Sequence, residues 1–283
     1  MPIPDADLHP VATGLAKQTV DNHSAEQELK LYSGWFCPFV QRVWITLEEK
    51  GIPYQYIEVN PYYKTPELMR ANPRGLVPTL QVAPGKALYE STVICEYLED
   101  HYADHEPRLL PAAGDDGGDN DYERARARIW MDHASSRIVP AFHRLLQFQP
   151  AAYGGDGAAR LDELRAELRS CLLEFAGAMA DGGPYFSGRD FSLPDVAAAP
   201  WATRLWVFDE FKGGLGIPAP GRGGADEPRW ARWRVWEAAV RRRDSVRRTT
   251  SERARYVPVH RRYADDVAQS QIARAIRAGR GVP

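Results

Sequence analysis

The apolar period of this chain changes once, and that change constrains the fold more than any single motif. Over residues 29–102, short apolar runs alternate with stretches of helical spacing; beyond Tyr122 the spacing is helical throughout. Between them lie Pro107, Pro111, Gly114, Gly117, Gly118 and the aspartates Asp104, Asp115, Asp116, Asp119 and Asp121, the composition of a linker. A chain of 283 residues is long enough for two modest domains with separate cores. The expected division is a flexible N-terminal arm over 1–27, a mixed α/β domain over 28–103, a linker over 104–121, an all-helical domain over 122–262 and a basic tail over 263–283.

In the first domain, strands are expected over 29–32, 54–59, 78–82 and 87–89. Helices are expected over 39–50, closed by Gly51, over a short stretch capped by Thr65 with Pro66 at its first position, and over 91–102. The order βαβαββα is that of a thioredoxin-like sheet. Its first strand runs through Ser33-Gly34 into Trp35-Phe36-Cys37-Pro38-Phe39-Val40, after which Val40, Val43, Trp44 and Leu47 follow at helical spacing. Pro38 suits the first helical position, where its missing N–H costs nothing. A thiol at that point faces the positive end of a helix dipole and unpaired backbone N–H groups, both of which favour the reactive thiolate. The plainer reading of a lone cysteine is a small buried hydrophobe; the helix start and the Cys-Pro dipeptide argue against it.

Composition narrows the chemistry. The chain is 44% hydrophobic and 26% charged with a net charge of −2, so neither nucleic acid nor a membrane surface is expected as partner. Its three cysteines, Cys37, Cys95 and Cys171, are odd in number and widely spaced, which suits neither a disulfide framework nor a zinc set. No metal and a reducing, cytoplasmic location are the expectations. No apolar run approaches transmembrane length, and residues 1–28 hold no secretory apolar core. Cys95 and Cys171 fall within helical patterns and are expected in the core. The arginine-rich end (Arg241-Arg242-Arg243, Arg247-Arg248, Arg261-Arg262) is interspersed with Asp244, Glu252, Asp265 and Asp266, the pattern of a solvated helical surface.

In the helical half, one long helix is expected over 122–148 with a bend at Pro140. A second carries Leu161, Leu164, Leu168, Leu172, Phe175 and Met179 on one face and ends at Gly182-Gly183-Pro184. Ser192-Leu193-Pro194-Asp195 is a capping box, with Ser192 as N-cap and Asp195 reaching back; its helix should kink at Pro200. Asp195 is thus a cap contributing about 1 kcal/mol, not a catalytic residue. A further helix over 227–240 carries Trp230, Trp233 and Trp236.

Cys37-Pro38-Phe39, Asn72-Pro73-Arg74-Gly75-Leu76-Val77-Pro78-Thr79-Leu80, Glu90-Ser91 and Ser192-Leu193-Pro194-Asp195 occur in the order seen in glutathione transferases, and the chain over roughly 29–250 resembles that family. The Cys-Pro-Phe turn is similar to the omega class, and the long basic tail to its fungal members. The resemblance implies a thioredoxin-like βαβαββα domain followed by an all-helical domain, glutathione as co-substrate, no metal, and a homodimer. It implies glutathione contacts at Phe39, Lys64, Leu76, Val77, Pro78, Glu90 and Ser91 around a catalytic Cys37. In that fold Val77-Pro78 is cis, freeing the backbone of Val77 to pair with the cysteinyl part of glutathione; the bland alternative is a trans proline opening an edge strand. Ser91, a natural N-cap, would offer its N–H and hydroxyl to the γ-glutamyl α-carboxylate, Glu90 would meet the α-ammonium, and Lys64 the glycyl carboxylate.

Val40 stands where a second cysteine of the turn would be, so the implied cycle uses one thiol. Cys37 forms a mixed disulfide with glutathione, and a second glutathione releases it. The implied activities are thioltransferase, deglutathionylation and dehydroascorbate reductase, with weak conjugation of haloaromatics. A small electrophile, disulfide or glutathionyl adduct would sit beside Phe36, Trp130, His133, and either Trp233 or Trp236. Helically spaced tryptophans and a lone histidine are, however, more often core. Two other functions share these motifs: a conjugating transferase of detoxification or biosynthesis with Cys37 as a covalent trap, and a non-enzymatic regulator or chloride-channel-like protein. The channel group carries an apolar insertion segment that this sequence lacks near the first helix.

Overall fold

A computed structural model of the protein describes residues 3–112, 114 and 119–280. The chain forms two compact units: one runs to Ala112 and takes back Arg242–Tyr256, and the other holds the chain between them to Arg241 and the chain from Val257. The first unit contains α1 (Gly14–Asn22), β1 (Lys30–Ser33), α2 (Pro38–Lys50), β2 (Gln55–Glu58), α3 (Pro66–Ala71), β3 (Thr79–Ala83), β4 (Lys86–Tyr89) and α4 (Ser91–His101). The strands lie in the order β2-β1-β3-β4; β1 is parallel to β2 and antiparallel to β3, which is antiparallel to β4. This is the expected thioredoxin-like sheet. Gly51 closes α2 in the left-handed conformation at φ 58°, and Thr65 caps α3 by accepting from Leu68 N–H.

One expectation at an end of the chain is corrected. The arm expected over 1–27 is ordered where it meets other parts of its unit. Trp35 Nε1 donates to His9 O at 2.8 Å, Thr19 Oγ1 donates to Arg248 O at 2.8 Å, and the His23 ring stacks 3.9 Å from that of Tyr54. A polar sequence hides such a helix because its partners are far away in the chain.

The tail expected from 263 is also folded. After α5 (Asp119–His133), α6 (Val139–Gln147), α7 (Gly157–Gly177), α8 (Leu193–Ala202), α9 (Trp206–Phe211) and α10 (Glu227–Arg242) come α11 (Asp244–Arg248), α12 (Arg253–Ala264) and α13 (Gln271–Arg277). α11 belongs with the first unit, where Arg243 makes two bonds to Glu49 at 2.8 and 2.6 Å and Gln41 Nε2 reaches Thr250 Oγ1 at 2.8 Å. α13 buries Ile272, Ala273 and Ala275, and Gln147 Nε2 of α6 donates to Ala273 O at 3.2 Å. Of the linker, 113 and 115–118 lie outside the described residues, as do 1–2 of the arm and 281–283 of the tail.

In the second unit the long helix is continuous but changes pitch: α5 passes into a π-helical turn, Ala134–Ile138, before Pro140 in α6. Proline cannot donate to the carbonyl four residues back, and a wider turn ahead of it takes up the register. α7 stops at Gly177, before the Gly182-Gly183-Pro184 turn expected to end it. Pro200 lies in the last turn of α8, which ends at Ala202. Asp195 is fully buried and accepts from Ser192 N, Ser192 Oγ and Phe186 N, each at 2.8 Å, and from Trp236 Nε1 at 2.6 Å. The capping box is present, and the same carboxylate also ties α8 to α10 and to the preceding loop.

Candidate active site

Cys37 sits where β1 gives way to α2. Its N–H closes the turn onto Gly34 O at 2.9 Å, its own carbonyl accepts from Gln41 N at 3.1 Å, and Pro38 is the first helical residue. The thiol is half-buried, with Sγ 4.0 Å from Val77 O. The Val77-Pro78 bond is cis, as the resemblance implies. Beneath the turn, Glu58 at the end of β2 accepts from Trp35 N at 3.0 Å and from the Tyr56 hydroxyl at 3.2 Å. Burial pushes the Glu58 carboxyl up to about 7, against the pull of Trp35 N–H, the Tyr56 hydroxyl and Ala12 N–H.

Across the sheet, α4 begins at Ser91. Ser91 is therefore the first helical residue and not the N-cap; Glu90 holds the cap position at φ 71°, outside the usual range for a residue with a side chain. Arg42 of α2 donates to Ser91 Oγ at 3.4 Å, which leaves the Ser91 proton available for an acceptor elsewhere. The Arg42 guanidinium is buried, 5.5 Å from the centre of the Phe39 ring. Desolvation draws it down to about 10, while the electrostatic influence of Cys95 and Cys37 acts in the opposite direction. Arg42 thus bonds Ser91 and lies within electrostatic reach of Cys37.

The loop side is equally specific. Glu90 is paired with Arg74, and Lys64 Nζ donates to Arg74 O at 3.1 Å. Leu76 is half-buried, and its carbonyl accepts from Thr79 Oγ1 at 2.8 Å and Asn72 Nδ2 at 3.3 Å. Cys37, Phe39, Lys64, Leu76, Val77, Pro78, Glu90 and Ser91 thus all belong to one compact unit.

The candidates for a hydrophobic substrate surface divide differently. Phe36 belongs to the Cys37 turn, edge-on to Trp35 at 5.7 Å. The other four lie in an aromatic cluster of the helical unit. Trp130 packs against Phe186 at 5.8 Å and His133 at 5.0 Å, and Trp236 lies 5.4 Å from Phe175 and 4.8 Å from Trp233. Trp236 and Trp233 are buried and offer no surface, which corrects their placement beside a substrate. His133 is half-buried, with Nε2 2.9 Å from Cys171 O. Cys95 is buried in contact with Thr46 Oγ1 at 3.3 Å, and burial pushes its thiol up to about 11; Cys171 is buried in α7.

Sequence reasoning missed Arg42, Glu58 and the side chain of Arg74. Arg42 left a signal, a charged residue in a helix beside the apolar Phe39, Val43 and Ile45. Glu58 left none, because its partner Trp35 lies on a different turn.

The family model described as "Glutathione S-transferase, N-terminal domain" matches residues 36–101, and the one described as "Glutathione S-transferase, C-terminal domain" matches 158–239. The chain is 34% identical over 177 residues to glutathione S-transferase omega-1 of Sus scrofa, covering 62% of this chain and 67% of that protein. Among solved structures, glutathione transferase Omega 3C from Trametes versicolor is 42% identical with a TM-score of 0.71, covering 86% of this chain and 98% of that one. Rice GST1 in complex with glutathione is 25% identical with a TM-score of 0.70, covering 86% of this chain and 100% of that one. With both domain models in place and relatives of this similarity, the chain belongs to the glutathione S-transferase family.

Proposed function

We propose that the protein is a glutathione-dependent thiol transferase of the omega type, with Cys37 as its nucleophile. The observation that carries this reading is Cys37 itself: a half-buried thiol at the first turn of α2, beside the cis Val77-Pro78 backbone, in a chain whose other cysteines are buried. Its similarity to omega-class relatives supports the same reading. The Cys37 thiolate attacks the glutathionyl sulfur of a mixed disulfide. A Cys37–glutathione disulfide forms and the other thiol leaves as thiolate. Glutathione thiolate then attacks that glutathionyl sulfur, releasing oxidised glutathione and restoring the Cys37 thiolate. Deglutathionylation and dehydroascorbate reduction belong to the same proposal, and so does the homodimer. In the glutathione site, Ser91 N–H and hydroxyl hold the α-carboxylate, Glu90 the α-ammonium, Val77 the cysteinyl backbone and Lys64 the glycyl carboxylate.

The test compares wild type with Cys37→Ser in two assays: glutathione-dependent reduction of the mixed disulfide of glutathione with 2-mercaptoethanol, and conjugation of a chlorodinitrobenzene. Disulfide reduction falls by about three orders of magnitude or more in the variant, since the nucleophile is gone, while conjugation is retained or rises. Intact reduction in Cys37→Ser would falsify the mechanism. Conjugation as the dominant wild-type activity would point to a conjugating transferase, and inactivity in both with glutathione still bound to a regulator.

A further inference from the structure

We infer that Arg74 belongs to the glutathione site: it takes the α-carboxylate of the γ-glutamyl group while Glu90 takes the α-ammonium, so that the ligand's zwitterion replaces the Arg74–Glu90 ion pair. The inference rests on the glutathione reading above and adds to it a specificity-determining residue.

The pair is accessible, with 40% of the Arg74 side chain and 50% of the Glu90 side chain exposed. An ion pair that open contributes little to the fold, so a ligand can replace it at small cost. Both backbones, by contrast, are firmly set. Asn72 is fully buried; its Oδ1 accepts from Arg74 N at 3.0 Å, and its Nδ2 donates to Thr79 Oγ1 at 3.0 Å and to Leu76 O at 3.3 Å. Glu90 is held at φ 71° where β4 meets α4, a conformation that persists only where its surroundings impose it. Structure is thus invested in placing two opposite charges side by side at the rim of the site.

Charge matching gives the pair its purpose. Glutathione carries one ammonium and two carboxylates. Glu90 and Lys64 answer one of each and leave the α-carboxylate to Ser91, a neutral partner. Arg42 donates to Ser91 Oγ at 3.4 Å. Arg74 supplies the missing cation at the same end of the ligand as Glu90, in a fork suited to a carboxylate. Lys64 and Arg74 are coupled through the Lys64 Nζ bond to Arg74 O, so the two cations are fixed on one loop surface.

The competing idea is that Arg74 merely blocks Glu90, and the sign of one measurement separates the two. Binding to the full chain is followed by calorimetry with S-methylglutathione, which has no free thiol to react with Cys37. A second probe has its γ-glutamyl residue replaced by 4-aminobutyryl, so that it keeps the ammonium and lacks the α-carboxylate. Arg74→Ala raises the Kd of S-methylglutathione about tenfold or more, the scale of a lost charge-assisted contact. It leaves the 4-aminobutyryl probe unchanged or tighter, because that probe then meets an unopposed Glu90. Arg74→Lys, which keeps the charge without the fork, falls between, and stands in should the alanine variant not fold. Equal or tighter binding of S-methylglutathione by Arg74→Ala overturns the inference, as does an equal loss for both probes. Failure of wild type to bind S-methylglutathione at all overturns the glutathione reading and this inference with it, a result that no Arg74 variant can imitate.

Discussion

Glu58 in the first unit, half-buried, and Asp195 in the second, fully buried, are carboxylates that each accept a main-chain N–H and a ring-bearing side chain, yet they serve different ends. Asp195 collects four protein donors, two from Ser192, one from Phe186 and one from Trp236, and lies in a fully buried joint of the helical unit. Glu58 holds Trp35 N and the Tyr56 hydroxyl, directly under the turn that presents Cys37. One carboxylate joins elements of the helical unit, the other braces the turn that leads into Cys37. The difference lies in what the donors are attached to.

Removing each carboxylate tests that contrast, and Asp195 gives the larger stability effect. Asp195→Ala leaves Trp236 Nε1, Phe186 N and Ser192 N without their acceptor, each a penalty of about 1–3 kcal/mol. A loss of about 3–5 kcal/mol in denaturant unfolding is expected, well above the single-cap value read from the sequence, with turnover per folded molecule unchanged. A loss near 1 kcal/mol would reduce Asp195 to an ordinary cap. Glu58→Ala should lower kcat/KM for disulfide reduction about tenfold, through misplacement of the Cys37 turn, whereas Glu58→Gln keeps an acceptor for Trp35 N–H and retains activity. Equal kinetics in both Glu58 variants would remove Glu58 from the site.

The same two residues respond to pH in the same direction. Burial raises Asp195 from 3.8 to about 6 and Glu58 from 4.5 to about 7. A raised folded-state pKa means the native protein holds the proton longer than the unfolded chain. The stability each contributes is therefore fully present below its unfolded pKa and is lost as pH rises through the folded one. Relative to Asp195→Asn, wild type should lose about 2 kcal/mol between pH 4 and 7, most of the effect of a shift of about two pKa units. A rising difference over that range would show the four donors outweighing desolvation.

These contrasts also mark what could be read from the sequence. Asp195 was legible because its nearest partners, Ser192 N and Oγ, sit three residues away in a recognisable box. Its bond to Trp236 Nε1 was not, since that partner lies on another helix. Cys37 and the βαβαββα order were legible because strand, turn and helix each leave local patterns. The helix α1 was not: its anchors, Arg248 and Ser251, come from the far end of the chain. Trp233 and Trp236 show the opposite failure. Helical spacing announces an apolar face, but not whether core or ligand covers it; here they pack on each other, and Trp236 on Phe175.

Two glycines give the smallest and finest comparison. Gly51, at φ 58°, has nothing within 4 Å of where a Cβ would stand, whereas at Gly75, φ 62°, a Cβ would meet Met69 Sδ at 2.7 Å and Lys64 Cδ at 3.0 Å. Alanine at either position meets the same left-handed backbone cost, about 1 kcal/mol. At Gly51 nothing else changes, so only stability should fall. At Gly75 the methyl also pushes on the aliphatic stem of Lys64, whose ammonium is held at Arg74 O. Gly75→Ala should therefore raise the KM for glutathione about two- to threefold at nearly unchanged kcat, the mark of a lost binding contact rather than a lost chemical step. If both variants moved KM alike, the effect would belong to the backbone and not to Lys64. If neither did, Lys64 would stand outside the glutathione site, and the glycyl carboxylate would need another partner.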